Sequence, residues 1–304
     1  MKNLQKKHSL TEKKKVTDIK NLVRNAAKKL IYSDAPEVDA YELFEKATSL
    51  SANDILLSPL REISEEKLRL FDSYIEKRAT GYPLQYILGE WDFFGNTFFV
   101  NEGVLIPRCE TEQIADECCT FLKMKKNKVV FDLCSGSGCI GLSIAAKNPD
   151  CKVYLFDISP FALECSKKNL AKMGLTNAEI LEYDIFSGFD KEKLPFPDVI
   201  VSNPPYVTRE EFETLQKEIF FEPETAIVCE GDGLDFYRAI AEKWLPFLAE
   251  DGFFMLESGE EQPVKITEIL EDSESFNTDI YNVMCCDDMF SVERFVKGVG
   301  KNAV

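Results

Sequence analysis

The stretch Val129-Val130-Phe131-Asp132-Leu133-Cys134-Ser135-Gly136-Ser137-Gly138-Cys139-Ile140-Gly141-Leu142-Ser143-Ile144-Ala145-Ala146 decides the fold. A β-forming run, a turn with two glycines and a longer apolar run read as strand, turn and helix. Gly136 and Gly138 let the backbone come close to a ligand at a helix N-terminus, where unpaired N–H groups point outward. That is the local geometry of a nucleotide-type pocket.

A second apolar strand, Lys152-Val153-Tyr154-Leu155-Phe156, ends at Asp157. This lies close to the ~20-residue offset at which an acidic side chain meets ribose hydroxyls. Spacing alone fits either a nicotinamide dinucleotide or S-adenosylmethionine. The turn separates the two, because Cys134 stands at its leading glycine position and Asp132 would repel a phosphate while suiting a cationic methionine group. S-adenosylmethionine is the better fit.

About seventy residues further on, Pro197-Asp198-Val199-Ile200-Val201-Ser202 reads as a buried strand ending in Asn203-Pro204-Pro205-Tyr206. Proline fixes φ and leaves its carbonyl without internal competition, so a carboxamide oxygen and a backbone carbonyl stand side by side. Such a pair suits a planar NH2 group. Alone, the motif would read equally as a turn that ends a strand; beside the glycine turn it reads as a substrate clamp.

Asp-x-Cys-Ser-Gly-Ser-Gly followed by Asp157, Asp184 and Asn-Pro-Pro-Tyr resembles a class I methyltransferase. More narrowly, the chain is similar to the protein-(glutamine-N5) methyltransferases of the HemK/PrmC type, which modify peptide chain release factors. The likeness extends over Gly81-Tyr82-Pro83-Leu84-Gln85-Tyr86-Ile87-Leu88-Gly89, Phe93-Phe94-Gly95, Val104-Leu105-Ile106-Pro107-Arg108, Thr111-Glu112, Phe221-Glu222-Pro223 and Gly231-Asp232-Gly233-Leu234. Two positions depart from the family pattern, Cys109 where proline is common and Cys134 where glycine is common.

The resemblance implies a seven-stranded, mostly parallel, Rossmann-like α/β sheet, preceded by an N-terminal helical bundle and a β-hairpin linker. It implies S-adenosyl-L-methionine as cofactor, with Cys134, Ser135, Gly136, Ser137 and Gly138 at its methionine portion, Asp157 at the ribose, and Asp184 and Ile185 at the adenine with Phe186 as cover. Asn203, Pro204 and Tyr206 are the expected catalytic group. Asn203 borders cofactor and substrate, and Pro205, Glu222 and Pro223 join Asn203, Pro204 and Tyr206 around the acceptor glutamine. Arg108 and Glu112 are expected to brace the cleft, and Phe93 and Phe94 to pack the linker or wall the pocket.

The chain has 304 residues, enough for two cores, with 45% hydrophobic and 29% charged residues, as in folded water-facing proteins. Its net charge is −17, yet residues 1–29 hold ten Lys/Arg against two acidic side chains. The remainder is strongly acidic and should repel phosphate, which argues against gripping DNA. The leader lacks the apolar core of a secretory signal, and no membrane-spanning run occurs, so a cytoplasmic monomer is expected. Ten cysteines form no Cys-x-x-Cys pair and read as small buried hydrophobes, with no metal site. The single histidine, His8, lies in the leader, which removes imidazole chemistry from the folded body.

Expected organisation is a disordered basic leader over 1–16, a release-factor-binding helical bundle over 17–80 without strands, a hairpin linker over 81–106 and the catalytic domain over 107–304. In the bundle, Asp39 and Ser64 are candidate helix caps. Strands are expected near 128–133, 152–157, 178–182, 197–202, 252–257, 279–285 and 291–297, the last two as an antiparallel hairpin. The alternatives are an adenine-N6 nucleic-acid methyltransferase, which could use the same clamp on a flipped base, a glutamine methyltransferase of a ribosomal protein, and a non-catalytic adaptor for translation factors.

Overall fold

Chain contacts divide the protein into one unit that ends at Leu88 and a second that begins at Gly89. The computed structural model describes residues 13–123 and 125–303; most of the Lys-rich leader therefore lies outside the described residues.

The first unit contains β1 (Lys14–Asp18), α1 (Ile19–Ala27), α2 (Pro36–Thr48), α3 (Ala52–Leu57), β2 (Leu60–Ser64), α4 (Glu65–Arg78) and α5 (Leu84–Leu88). Ile19, Val23, Leu43, Phe44, Phe71 and Ile75 are fully buried or nearly so, and the Phe44 and Phe71 rings meet edge to face at 5.3 Å. Ser64 caps α4 by accepting from Lys67 N, as expected. Asp39 is not a cap: Pro36 starts α2, and Asp39 lies inside it, buried against Arg78 Nε at 2.7 Å. The strands β1 and β2 pair antiparallel from Lys14↔Ser64 to Asp18↔Leu60, so order begins inside the span expected as a tail. Their sequences carry no alternation to announce them, since Val16 is exposed and only Thr17, Ile63 and Ser64 are buried. The boundary falls later than expected because Arg78 donates to the Tyr82 carbonyl and Lys46 Nζ to the Leu88 carbonyl, which ties 82–88 to the helices.

The second unit opens with a hairpin, β3 (Glu90–Phe93) and β4 (Asn96–Phe99), turned at Phe94-Gly95. There follow α6 (Glu112–Leu122), β5 (Val129–Leu133), α7 (Cys139–Lys147), β6 (Lys152–Asp157), α8 (Pro160–Met173), β7 (Ala178–Glu182), β8 (Val199–Ser202), α9 (Arg209–Phe212), α10 (Asp235–Lys243), β9 (Phe253–Glu257), α11 (Pro263–Asp272), β10 (Tyr281–Asp287) and β11 (Glu293–Gly300). One seven-stranded sheet has the order β10-β11-β9-β8-β5-β6-β7, parallel except for β11, which is antiparallel to both neighbours.

Alternation along β5 explains the layers. Val130 joins a core with Ile114, Leu142 and Val153 on one face, whereas Phe131 and Leu133 join Phe156, Tyr237 and Trp244 on the other. The chain winds outward from β5 through β6 to β7, then returns to build β8 and β9 on the other side. The strand order reverses between β5 and β8, and a ligand crevice forms beyond the carboxyl ends of strands at such a point. No helix among the described residues is long and apolar enough to cross a membrane.

Candidate active site

The turn after β5 is built from left-handed backbone. Cys134, Gly136 and Gly138 have φ of 58°, 55° and 79°. Glycine adopts this region freely, but a residue with a Cβ does so at a cost of about 1 kcal/mol. Cys134 thus occupies a position where glycine would be unstrained. Ser135 N donates to the Phe156 carbonyl at 3.0 Å, and Gly138 N to the Ser135 carbonyl at 2.8 Å. Asp157, at the end of β6, accepts from Gly136 N (2.8 Å) through Oδ2 and from Ser159 N (2.9 Å) through Oδ1, and burial raises its pKa.

Asn169 of α8, fully buried, was invisible to sequence reasoning because an Asn in a helix carries no motif. Its Nδ2 donates to the Ser137 carbonyl (2.9 Å) and the Phe99 carbonyl (3.0 Å), while its Oδ1 accepts from Phe99 N (2.7 Å). Asp132 corrects an expectation in the opposite sense. It is fully buried beneath α7, accepts from Gly141 N at 2.8 Å, and does not line the crevice. Desolvation pushes its carboxyl up to about 8.

A cavity of about 320 Å³ opens at the switch point. Its walls include Cys134, Ser135, Gly136, Ser137, Asp157, Asp184, Ile185, Phe186, Asn203, Pro205 and Pro223, together with Leu105, Arg108 and Thr111. Asp184 caps a short helical turn by accepting from Phe186 N at 2.9 Å, and Ile185 is buried beside it. Gly138, Pro204, Tyr206 and Glu222 do not line the cavity. Gly138 packs tightly instead: a Cβ there would stand 3.1 Å from Leu142 and Leu155 side-chain atoms.

Asn203 follows β8 directly. Its Nδ2 donates to Thr111 Oγ1 at 3.2 Å, and its Oδ1 takes no hydrogen bond among the described residues. The Pro204 carbonyl likewise accepts none among them. Tyr206 turns toward the core, its carbonyl accepts from Gln262 Nε2 at 3.0 Å, and burial raises its phenol pKa. Behind Thr111 sits Glu257, 2% exposed, with Oε2 unpartnered among the described residues. Burial pushes this carboxyl up to about 7, against the nearby Thr111 hydroxyl and the positive charge of Arg294.

Glu222 is placed differently from the expectation of a substrate ligand. Both its oxygens face its own chain, accepting from Ile106 N at 2.9 Å and from Arg108 Nη2 at 2.5 Å. The pair pins the 106–108 segment, and the adjacent Pro223 reaches the cavity. Glu112 accepts from Phe94 N at 2.8 Å and so braces the hairpin, while Phe93 is buried against Phe98. The ten cysteines are all free.

The residues present fit S-adenosylmethionine. Ser135 Oγ is buried, lines the cavity and has no partner among the described residues, so a polar ligand group would satisfy it. A Cβ built on Gly136 meets nothing within 4 Å, which leaves that stretch of backbone open to a ligand.

This sheet, with a glycine turn after its central strand and an acidic residue ending the next, defines a class I methyltransferase, a class that draws its methyl group from S-adenosylmethionine. Residues 117–233 match the family model described as methyltransferase small domain, and residues 21–89 match the PrmC N-terminal domain. Among curated proteins, the release factor glutamine methyltransferase of Fusobacterium nucleatum is 34% identical over 240 residues, 78% of this chain and 67% of that one. The protein of the same name from Aquifex aeolicus is 34% identical, covering 77% and 82%, and that from Neisseria gonorrhoeae is 32% identical, covering 87% and 96%. The chain belongs to the release factor glutamine methyltransferase family.

Proposed function

We propose that this chain methylates the side-chain amide nitrogen, N5, of the glutamine in the Gly-Gly-Gln motif of peptide chain release factors, acting in the cytoplasm. The observation that carries the chemistry is the Asn203 carboxamide: its NH2 is engaged by Thr111, and its Oδ1, at the cavity wall, accepts no hydrogen bond among the described residues.

S-adenosylmethionine, when bound, supplies a methyl group on a positively charged sulfur that accepts a nucleophile's electron pair. Ser135 and Gly136 hold its methionine portion, Asp157 accepts from the ribose hydroxyls with the lone pairs left over from Gly136 and Ser159, and Asp184 and Ile185 face the adenine. An amide nitrogen is a weak nucleophile because its lone pair is delocalised into the carbonyl. Asn203 Oδ1 and the Pro204 carbonyl each accept one amide hydrogen, which fixes that nitrogen and its exposed face. Pro205 and Pro223 flank the acceptor side chain. The proton that the nitrogen loses passes to water, and no side-chain base is required.

The acidic body of the chain supports a protein over a nucleic-acid substrate. The deciding experiment supplies labelled S-adenosylmethionine with purified release factor, its Gly-Gly-Gln→Gly-Gly-Ala variant and unmethylated DNA in parallel. Label on the wild-type factor alone is expected. Label on DNA alone would transfer the clamp to adenine and overturn the proposal.

A further inference from the structure

The strand order divides the carboxyl edge of the large sheet in two. The loops after β5, β6 and β7 carry Ser135, Gly136, Asp157 and Asp184, and the loop after β8 carries Asn203 and Pro204. Beyond β8 the edge continues over β9, β11 and β10. Because β11 runs antiparallel to β9 with Phe295 opposite Glu257, the turn between β10 and β11 lies at the same edge as the cavity. Two strand spacings separate β11 from β8, so the start of β11 stands about 10 Å across the edge from the end of β8.

That turn presents Met289 and Phe290, which are 61% and 63% exposed. Its backbone is fixed from within by Asp288, whose carboxylate is buried. Oδ1 accepts from Phe290 N at 2.8 Å and from Val292 N at 3.1 Å, and Oδ2 accepts from Arg294 Nε at 2.9 Å. The Asp288 carbonyl accepts from Ser291 N at 3.0 Å, and its N–H donates to the Val292 carbonyl at 2.8 Å. Ser291 is held in the left-handed region at φ 63°. On one side Gln113 Nε2 of α6 donates to the Asp287 carbonyl at 2.9 Å. On the other, Ser258 N donates to the Arg294 carbonyl at 2.8 Å, and Gln262 accepts from Gly259 N and donates to the Tyr206 carbonyl, both at 3.0 Å. Hydrogen bonds through the loop after β9 thus join the turn to the loop that carries Asn203.

We propose that Met289 and Phe290 are a docking contact for the body of the release factor whose glutamine enters the cavity; this rests on the function given above. The cofactor site takes the β5–β7 half of the edge. A polypeptide that delivers a glutamine to Asn203 therefore spreads away from the cofactor, over β9, β11 and β10, where the turn stands. An aromatic ring and a polarizable thioether on a preorganised backbone give apolar contact at small entropic cost, as at the centre of a protein interface. The same edge exposes Glu260, Glu261, Asp287 and Glu293, so the surface that fits it is apolar at its centre and basic at its rim. Such a dock touches neither the cofactor nor the acceptor amide, and it acts on capture of the substrate while Asn203 acts on the transfer.

The test measures kcat and KM for intact release factor, cofactor Kd by calorimetry and the urea midpoint. The proteins are the wild type, Met289→Ala, Phe290→Ala, the Met289→Ala/Phe290→Ala double variant and Phe196→Ala. Phe196, 60% exposed, precedes β8 at the opposite edge of the sheet and serves as the control. The double variant is expected to raise KM about tenfold with kcat within about twofold of wild type, and with cofactor Kd and urea midpoint unchanged. Phe196→Ala should leave KM as it is. An unchanged KM in the double variant, a cofactor Kd or kcat that worsens in step with KM, or an equal KM rise in Phe196→Ala would overturn the proposal. If the double variant does not fold, the two single variants decide on the same readings. A wild type that is dimeric by size exclusion, with a monomeric double variant of unchanged KM, would give the turn to a second copy of this chain and likewise overturn it. Binding of the Gly-Gly-Ala factor, which has no glutamine to methylate, keeps the two readings apart. Binding weakened by the double variant, with no label on the wild-type factor, removes the glutamine reading and keeps the dock. Label on the factor, with binding and KM indifferent to the turn, removes only the dock, and neither label nor binding removes both.

Discussion

Ser202 Oγ donates a 2.7 Å hydrogen bond to the Leu133 carbonyl, across the paired ends of β5 and β8. Those residues are also register partners, so the next residue on each strand, Cys134 and Asn203, is delivered to the same crevice. The distance between the glycine turn and the clamp is therefore set by the sheet, and two motifs about seventy residues apart act as one site.

Replacing Asn203 by alanine removes the Oδ1 acceptor without touching the turn that follows β5. An oriented dipole of this kind contributes about 2.7–4 kcal/mol to a barrier. Asn203→Ala is expected to lower kcat by roughly 10²-fold or more while cofactor Kd moves little. Parallel losses in both, from steady-state kinetics and calorimetry, would make Asn203 a cofactor ligand.

Asp157 uses one oxygen for Gly136 N and the other for Ser159 N. An asparagine can serve only one of them and gives up the charge that strengthens a ribose hydrogen bond. Charge-assisted bonds are worth about 1.5–3 kcal/mol, so Asp157→Asn should raise the cofactor Kd by at least about tenfold. A Kd equal to wild type by calorimetry would take Asp157 out of the cofactor site.

Gly141 faces the strand side of α7. A Cβ there would lie 2.8 Å from Asp132 Oδ2 and 2.9 Å from Leu155 Cγ, both fully buried. Overpacking of a buried helix contact costs about 1–3 kcal/mol. Gly141→Ala should move the urea midpoint down by a corresponding amount; an unshifted midpoint would mean that α7 moves outward freely.

Stability should fall as pH rises from about 4 to about 8. Asp132 keeps its proton in the folded protein until about pH 8, whereas in the unfolded chain it ionises near its ordinary value of 3.8. Between those values the unfolded state binds fewer protons, so stability declines as pH rises. Glu257 adds a slope of the same sign up to about pH 7. Urea unfolding at intervals across this range should show the decline, with a shallower slope in Asp132→Asn; equal slopes would assign the effect elsewhere.

The strands of the large sheet and the two motifs at its switch point were legible because each depends on local pattern: apolar runs of strand length, glycine in a turn, proline after asparagine. What escaped notice depends on tertiary placement. Thr111 resembles a helix cap in sequence, and only the fold brings its hydroxyl to the Asn203 amide. Glu222 sat in a recognisable motif, but nothing local says that it turns inward to Ile106 and Arg108. Cys134 could not be weighed until its positive φ was known. In the first unit β1 and β2 are short and mostly exposed, so they lack the alternation that marks a half-buried strand.

Asn169 uses its carboxamide on the backbone of two separate segments, Ser137 in the turn after β5 and Phe99 at the end of the hairpin. The hairpin is thereby mechanically tied to the glycine turn after β5 while β3 and β4 themselves stay outside the cavity wall. Damage to the 90–99 segment, or loss of this one amide, should register first as a loosened Ser137 and only later as a change in chemistry.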